Sequence, residues 1–202
     1  MKNHAFPTKK LVEAGALSAL SIVLSLTPLG YIPWFSGATL SVLAVPAIIG
    51  ALVGGPAVGT FVSAVFGLTS MVQAATNPAR GPIDMFFVNP LISVLPRLFI
   101  GITAWLVFRA FRGKHTPAAA ALAGITGALA NSVLTLGALF LAGAIPLAVA
   151  ATVLVSNGIL EAAAGGILSS AVVSAWKGIA SRSGRSKISE EEEKAENSGE
   201  SR

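Results

Sequence analysis

The sequence predicts an all-α integral membrane protein: a bundle of six transmembrane helices with both termini in the cytoplasm. Two observations predict the membrane. Hydrophobic residues make up 53% of the 202 and charged residues 11%, with a mean hydropathy of +0.75, whereas a water-soluble domain of this size carries about a quarter charged residues. The charges are also segregated, for no Asp, Glu, Lys, Arg or His falls between Ala14 and Ala79, nor between Pro117 and Leu160. A third observation, the placement of the bases, predicts the direction of each crossing.

A crossing needs about 20 mainly apolar residues, and cutting the chain at its Pro, Gly and polar punctuation leaves six such runs: 11–28, 38–54, 57–76, 91–111, 118–142 and 147–177. The first follows Lys9 and Lys10 like a signal sequence, but more spans follow and no convincing small-x-small cleavage site appears, so it is expected to be retained as a helix. The second and third carry small residues four apart, Gly50 with Gly54 and Gly55 with Gly59, as the first does with Ala14 and Ser18, and with Gly15 and Ala19. Such pairs let helix backbones approach closely, within the bundle or against a partner. The fourth holds Arg97, the fifth Asn131, and the sixth Asn157 and Glu161; the sixth is overlong and is expected to tilt or emerge from the bilayer. None of the runs alternates polar with apolar, which argues against a closed barrel.

Lys2, Lys9 and Lys10 precede the first span, Arg109, Arg112 and Lys114 separate the fourth from the fifth, and Lys177, Arg182, Arg185 and Lys187 follow the sixth. Six spans put all of these on one side and leave only Arg80 on the other, so that side is expected to be the cytoplasm. Three loops then face outward: "LGYIPWFSG", "NPARGPIDMFFVNP" and "GAIP". In the first, Tyr31 and Trp34 form either an interfacial aromatic belt or a cover over a ligand. The expected organisation is a cytoplasmic segment over 1–10, a membrane domain over 11–177 and a charged cytoplasmic tail over 178–202. The tail "SEEEEKAENSGESR" has the composition of a disordered segment.

Several function classes are excluded. There is no cysteine for thiolate chemistry or disulfides. His4 and His115 lie outside the spans, and neither His-Glu-x-x-His nor Gly-x-Ser-x-Gly occurs. No lysine follows a phosphate-cradling glycine loop, so the chain is not expected to hydrolyse ATP itself. No catalytic residue, metal or cofactor is expected, and no nucleic-acid partner. Asn77-Pro78-Ala79 and Asn89-Pro90 suggest a water channel, but both fall in one outward loop and cannot open half-helices from opposite faces.

Polar residues at membrane depth remain. At 1.5 Å per residue, Arg97 lies ~9 Å below the outer end of its span, Asn157 ~15 Å, Asn131 ~16 Å and Glu161 ~21 Å. A cation, two amides and a deeper acid form a lining for a polar solute. Structural readings stand beside that one: Arg97 snorkels or pairs with Asp84 or Glu161, Asn131 and Asn157 join helices, and Glu161 bonds a neighbouring helix.

The chain resembles the substrate-binding S components of energy-coupling factor vitamin transporters. The likeness rests on "LVEAGALSALSIVL", "TLSVLAVPAIIGALVGGPAVGTFVSAVFGLTSMVQA", "VLPRLFIG", "GALANSVLTLGALFL" and "SNGILEAAAGGIL". It implies a six-helix bundle with an outward-facing vitamin pocket, serving a membrane-embedded T subunit and two cytosolic ATPase subunits, and toppling in the membrane to release its substrate. Gly15 and Ala19 correspond to the paired alanines with which the first helix of that family docks on the T subunit, with glycine in place of the first alanine, which keeps close approach but departs from the motif. The sequence looks most like the pantothenate-type branch, which assigns Arg97 to a carboxylate and Asn131 and Asn157 to amide and hydroxyl groups. Riboflavin or cobalamin is the alternative cargo, and a non-transporting structural or assembly protein the alternative function.

Overall fold

A computed structural model describes residues 8–27, 30–33, 39–76, 83–113 and 115–176. Six helical stretches follow one another: α1 Thr8–Leu26, α2 Val45–Val53, α3 Pro56–Thr76, α4 Pro90–Phe111, α5 Thr116–Leu141 and α6 Leu147–Trp176. A 3-10 turn, Asp84–Val88, leads into α4. Between α1 and α2 the chain forms a two-stranded antiparallel ribbon, β1 Tyr31–Pro33 on β2 Thr39–Ser41, with Tyr31 opposite Ser41. That ribbon is the one departure from an all-helical fold among the described residues.

Among the described residues, four helices are long and apolar enough to cross a membrane: α3, α4, α5 and α6. α1 has 19 residues, but Lys9, Lys10 and Glu13 crowd its first turns. The second predicted span departs furthest from expectation. Instead of a helix over 38–54 there are the ribbon strand and then nine helical residues, about 13 Å long against a hydrocarbon core of about 30 Å. Pro46 explains where that helix begins, because a proline at the first turn lacks only an N–H that has no helical partner anyway. Upstream of it, pairing with β1 satisfies backbone groups that a helix would otherwise have satisfied internally.

The core centres on α2, whose Ala47, Ile48 and Ala51 are fully or almost fully buried against Val58 and Val62 of α3 and Ile100 and Ala104 of α4. α4 packs on both α3 and α5, and α1 lies against α2 and α3. A second apolar cluster, Ile92, Leu139, Ile145 and Ala150 with Phe86 and Phe87, ties the start of α4 to the end of α5 and the start of α6. The two ends of the bundle differ in charge. Lys9 stands over the Trp176 ring at 6.0 Å, so the start of α1 meets the end of α6. The end of α4, with Arg109 and Arg112, belongs to that same basic end.

Candidate substrate site

Arg97 is 93% buried, being only 7% exposed, and its surroundings explain how a membrane helix accepts it. Pro96 precedes it and has no N–H to give to the carbonyl of Ile92; accordingly α4 breaks at Val94, and the Arg97 N–H turns to the Val94 carbonyl at 3.1 Å. The carbonyls of Ile92 and Ser93 are thereby left without backbone donors from the next turn. Arg97 Nη1 donates to both, to Ile92 O at 3.5 Å and to Ser93 O over a short hydrogen bond. The guanidinium thus closes the gap that its neighbouring proline opens.

Aromatic faces complete the setting. The guanidinium carbon lies 4.8 Å from the centre of the Phe66 ring and 5.3 Å from that of Phe87, within range for cation–π attraction. Ser93 fixes the break in place by donating from Oγ to the carbonyl of Gly67 on α3 at 3.0 Å. Gly67 has to be glycine for this approach, since a Cβ there would stand 2.8 Å from the Val94 backbone.

The other predicted residues sit on the α5–α6 seam. Gly124 and Gly165 let these two backbones touch, as a Cβ on Gly124 would come 2.2 Å from the Gly165 carbonyl oxygen. Two turns further along the seam Ser132 Oγ donates to Glu161 Oε2 at 2.8 Å, so the deep acid is held by the neighbouring helix, as one of its expected readings had it. Asn131 adjoins Ser132; it is half-buried, and its Oδ1 is shut off from solvent and meets no donor among the described residues. Asn157 lies in a π-helical turn, Leu154–Gly158, inside α6. The extra residue in that turn means that the regular four-residue repeat no longer sets the relation of Asn157 to Glu161. Such turns are frequent at functional sites.

Sequence reasoning missed Ser93, Phe66, Phe87 and Ser132. Only Pro96 carried a signal, because a proline immediately before a buried arginine announces both a helix break and a donor for the carbonyls it strands. Tyr31 lies in β1, and Trp34 falls outside the described residues, as do the tail over 178–202 and residues 77–82 with Arg80. The α1 pairs separate clearly. Ala14 and Ser18 are buried in the bundle, whereas Gly15 and Ala19 are exposed, and a Cβ on Gly15 would meet nothing within 4 Å. Gly59 packs directly on Ala51, so the small residues of α2 and α3 serve the interior.

The fold and the buried polar residues define a helical integral membrane protein with an arginine lodged in its apolar interior. The family model described as "ECF transporter, substrate-specific component" matches residues 9–176, and the chain belongs to that family. A search of curated proteins finds no match. The chain is therefore a substrate-binding membrane subunit of an ECF transporter, in a family of transporters and not of enzymes.

Proposed function

We propose that this subunit captures a carboxylate-bearing, water-soluble vitamin, with pantothenate the best fit, at the end of the bundle opposite Lys9 and Arg112. A membrane T subunit and two cytosolic ATPase subunits then drive its uptake. The observation that carries the reading is Arg97, a permanent cation about 10 Å along α4, set between two phenylalanine rings. A guanidinium offers five N–H donors in a planar fork, so a residue that serves two backbone carbonyls also has the geometry to grip a carboxylate. Asn131 and Asn157 supply amide groups for the hydroxyls and the amide of the ligand, Glu161 marks the floor, and Tyr31 and Trp34 are assigned to the ligand as further contacts. Riboflavin and cobalamin are the alternative cargoes on this scaffold. A cargo without a carboxylate leaves the guanidinium with no anion from the ligand.

The proposed topology has six crossings with both termini cytoplasmic, the basic end lying inside. Strand β2 and α2 together make the second crossing, with the open edges of the ribbon turned to protein or to water and not to lipid. Gly15 and Ala19 face the T subunit, which is supported by their exposure on α1. Mass spectrometry of the small molecules released from the protein purified out of its native membrane tests the cargo. One carboxylate-bearing vitamin in near-stoichiometric amount is expected; riboflavin or cobalamin in its place contradicts the assignment.

A further inference from the structure

A threonine in a helix can satisfy its hydroxyl on its own backbone, and several here do so. Thr69, Thr103, Thr126 and Thr152 each donate to the carbonyl four residues back, at 2.7 to 2.9 Å. Thr135 of α5 does not. It is only 9% exposed, its Oγ1 is shut off from solvent, and that oxygen meets no partner among the described residues. One turn deeper on the same face is Asn131, whose Oδ1 is in the same condition. A hydroxyl and an amide oxygen buried without partners are costly in a membrane interior, so this pair calls for polar groups that the described residues do not supply.

The place of the pair in the bundle indicates what those groups are. One turn beyond Thr135, Leu139 packs in the apolar cluster that holds Ile92 and Phe87. These two also meet the guanidinium of Arg97, Ile92 through its carbonyl at 3.5 Å and Phe87 through its ring at 5.3 Å. The α5 face therefore runs inward from the level of the guanidinium, with Thr135 about 6 Å and Asn131 about 12 Å below Leu139. Opposite this stretch α6 makes its π turn, where a Cβ on Gly158 would stand 3.8 Å from that of Ser132. Going inward, the order is a guanidinium that only donates, a hydroxyl that donates and accepts, and an amide oxygen that only accepts. A solute with a carboxylate and, several bonds away, a hydroxyl matches that order, whereas a hydrocarbon chain would leave both α5 oxygens unmatched and a second carboxylate would face Asn131 Oδ1 with no proton to give. We propose that Thr135 determines specificity in the substrate site and, with Asn131, reads one hydroxyl of the cargo, which donates to Asn131 Oδ1 and accepts from Thr135 Oγ1. This rests on the reading of the cargo given above and adds to it the requirement for a hydroxyl at that depth.

The test is equilibrium binding to the purified full-length protein of pantothenate and of its two monodeoxy forms, each lacking one of the two hydroxyls. Wild type is compared with Thr135→Val, which keeps the shape of the side chain and removes its hydroxyl, and with Thr135→Ser, which keeps the hydroxyl. The wild type is expected to bind one deoxy form about tenfold more weakly than pantothenate, the value of one hydrogen-bonding site left unmatched. Thr135→Val should bind that form and pantothenate within about threefold of each other, while Thr135→Ser keeps the discrimination. Without ligand, Thr135→Val should melt no lower than the wild type, because no bond within the protein is lost, and Thr126→Val should leave all the affinities unchanged. A lower melting temperature of ligand-free Thr135→Val overturns the proposal, for the hydroxyl would then serve the fold or a structural water. So does a wild type that binds both deoxy forms as tightly as pantothenate, or a discrimination that exceeds threefold in Thr135→Val. Those outcomes strike Thr135 alone, whereas a wild type that binds no pantothenate overturns the cargo reading and this proposal with it.

Discussion

Arg97 answers two needs at once, and its variants separate them. Its Nη1 donates to the carbonyls of Ile92 and Ser93, both in buried residues, and an unsatisfied buried carbonyl costs about 1–3 kcal/mol. Arg97→Ala is therefore expected to lower the melting temperature of the ligand-free protein in detergent, with Arg97→Lys falling between it and the wild type. An unchanged melting temperature in Arg97→Ala would show that the helix break does not need the guanidinium. The arginine itself was legible in the sequence as a lone charge among apolar residues, and Pro96 beside it pointed to a break. Phe66 and Phe87 were not legible, since each comes from a different segment of the chain, and nothing in a run of apolar residues tells which ring will meet a cation. Ser132 was hidden for a similar reason: a serine in a membrane helix ordinarily bonds its own helix, and Ser132 also reaches the Ala128 carbonyl at 3.2 Å.

At the scale of single elements, α1 presents two faces of different use. Ala14, Ser18, Ser21 and Ser25 form the buried stripe, and Gln73 of α3 donates to the Ser25 carbonyl at 2.7 Å, locking the far end of α1 to α3. Gly15 and Ala19 lie on an exposed face, about a third of a turn round the helix from that stripe. Replacing both by Leu is expected to leave the bundle folded and its vitamin affinity unchanged while reducing ATP-driven uptake, because bulky side chains hold a docking helix away. Uptake at wild-type rates in the Gly15→Leu, Ala19→Leu double variant would move the docking surface elsewhere. Four of the predicted spans were read closely from apolar length and punctuation, as α3, α4, α5 and α6 show. α2 was not, because an apolar run of this length specifies burial and not its secondary structure. The π turn at Asn157 was equally illegible, since no residue in "LVSNG" demands it.

Over the whole molecule, the segregation of charge carries the topology. A basic end formed by α1, α4, α5 and α6 faces away from the proposed vitamin site, and in the proposed orientation, which follows the positive-inside bias, it is the cytoplasmic end. The chain has no cysteine, so single cysteines at Arg80 and at Lys114 report without background. They are expected to react with an impermeant thiol reagent from opposite sides of the membrane; labelling of both in intact cells would contradict the six-crossing arrangement. The central claim is that Arg97 recognises the carboxylate of a vitamin, and equilibrium binding to the purified protein tests it most directly. Pantothenate is compared with panthenol, in which a primary alcohol replaces the carboxylate, on the wild type and on Arg97→Ala. The expected result is that the wild type binds pantothenate about tenfold to a hundredfold more tightly than panthenol, the value of one charge-assisted contact, and that Arg97→Ala binds the two alike. Equal affinity of the wild type for both, or a preference for pantothenate that persists without the arginine, would contradict the assignment of Arg97 to the substrate.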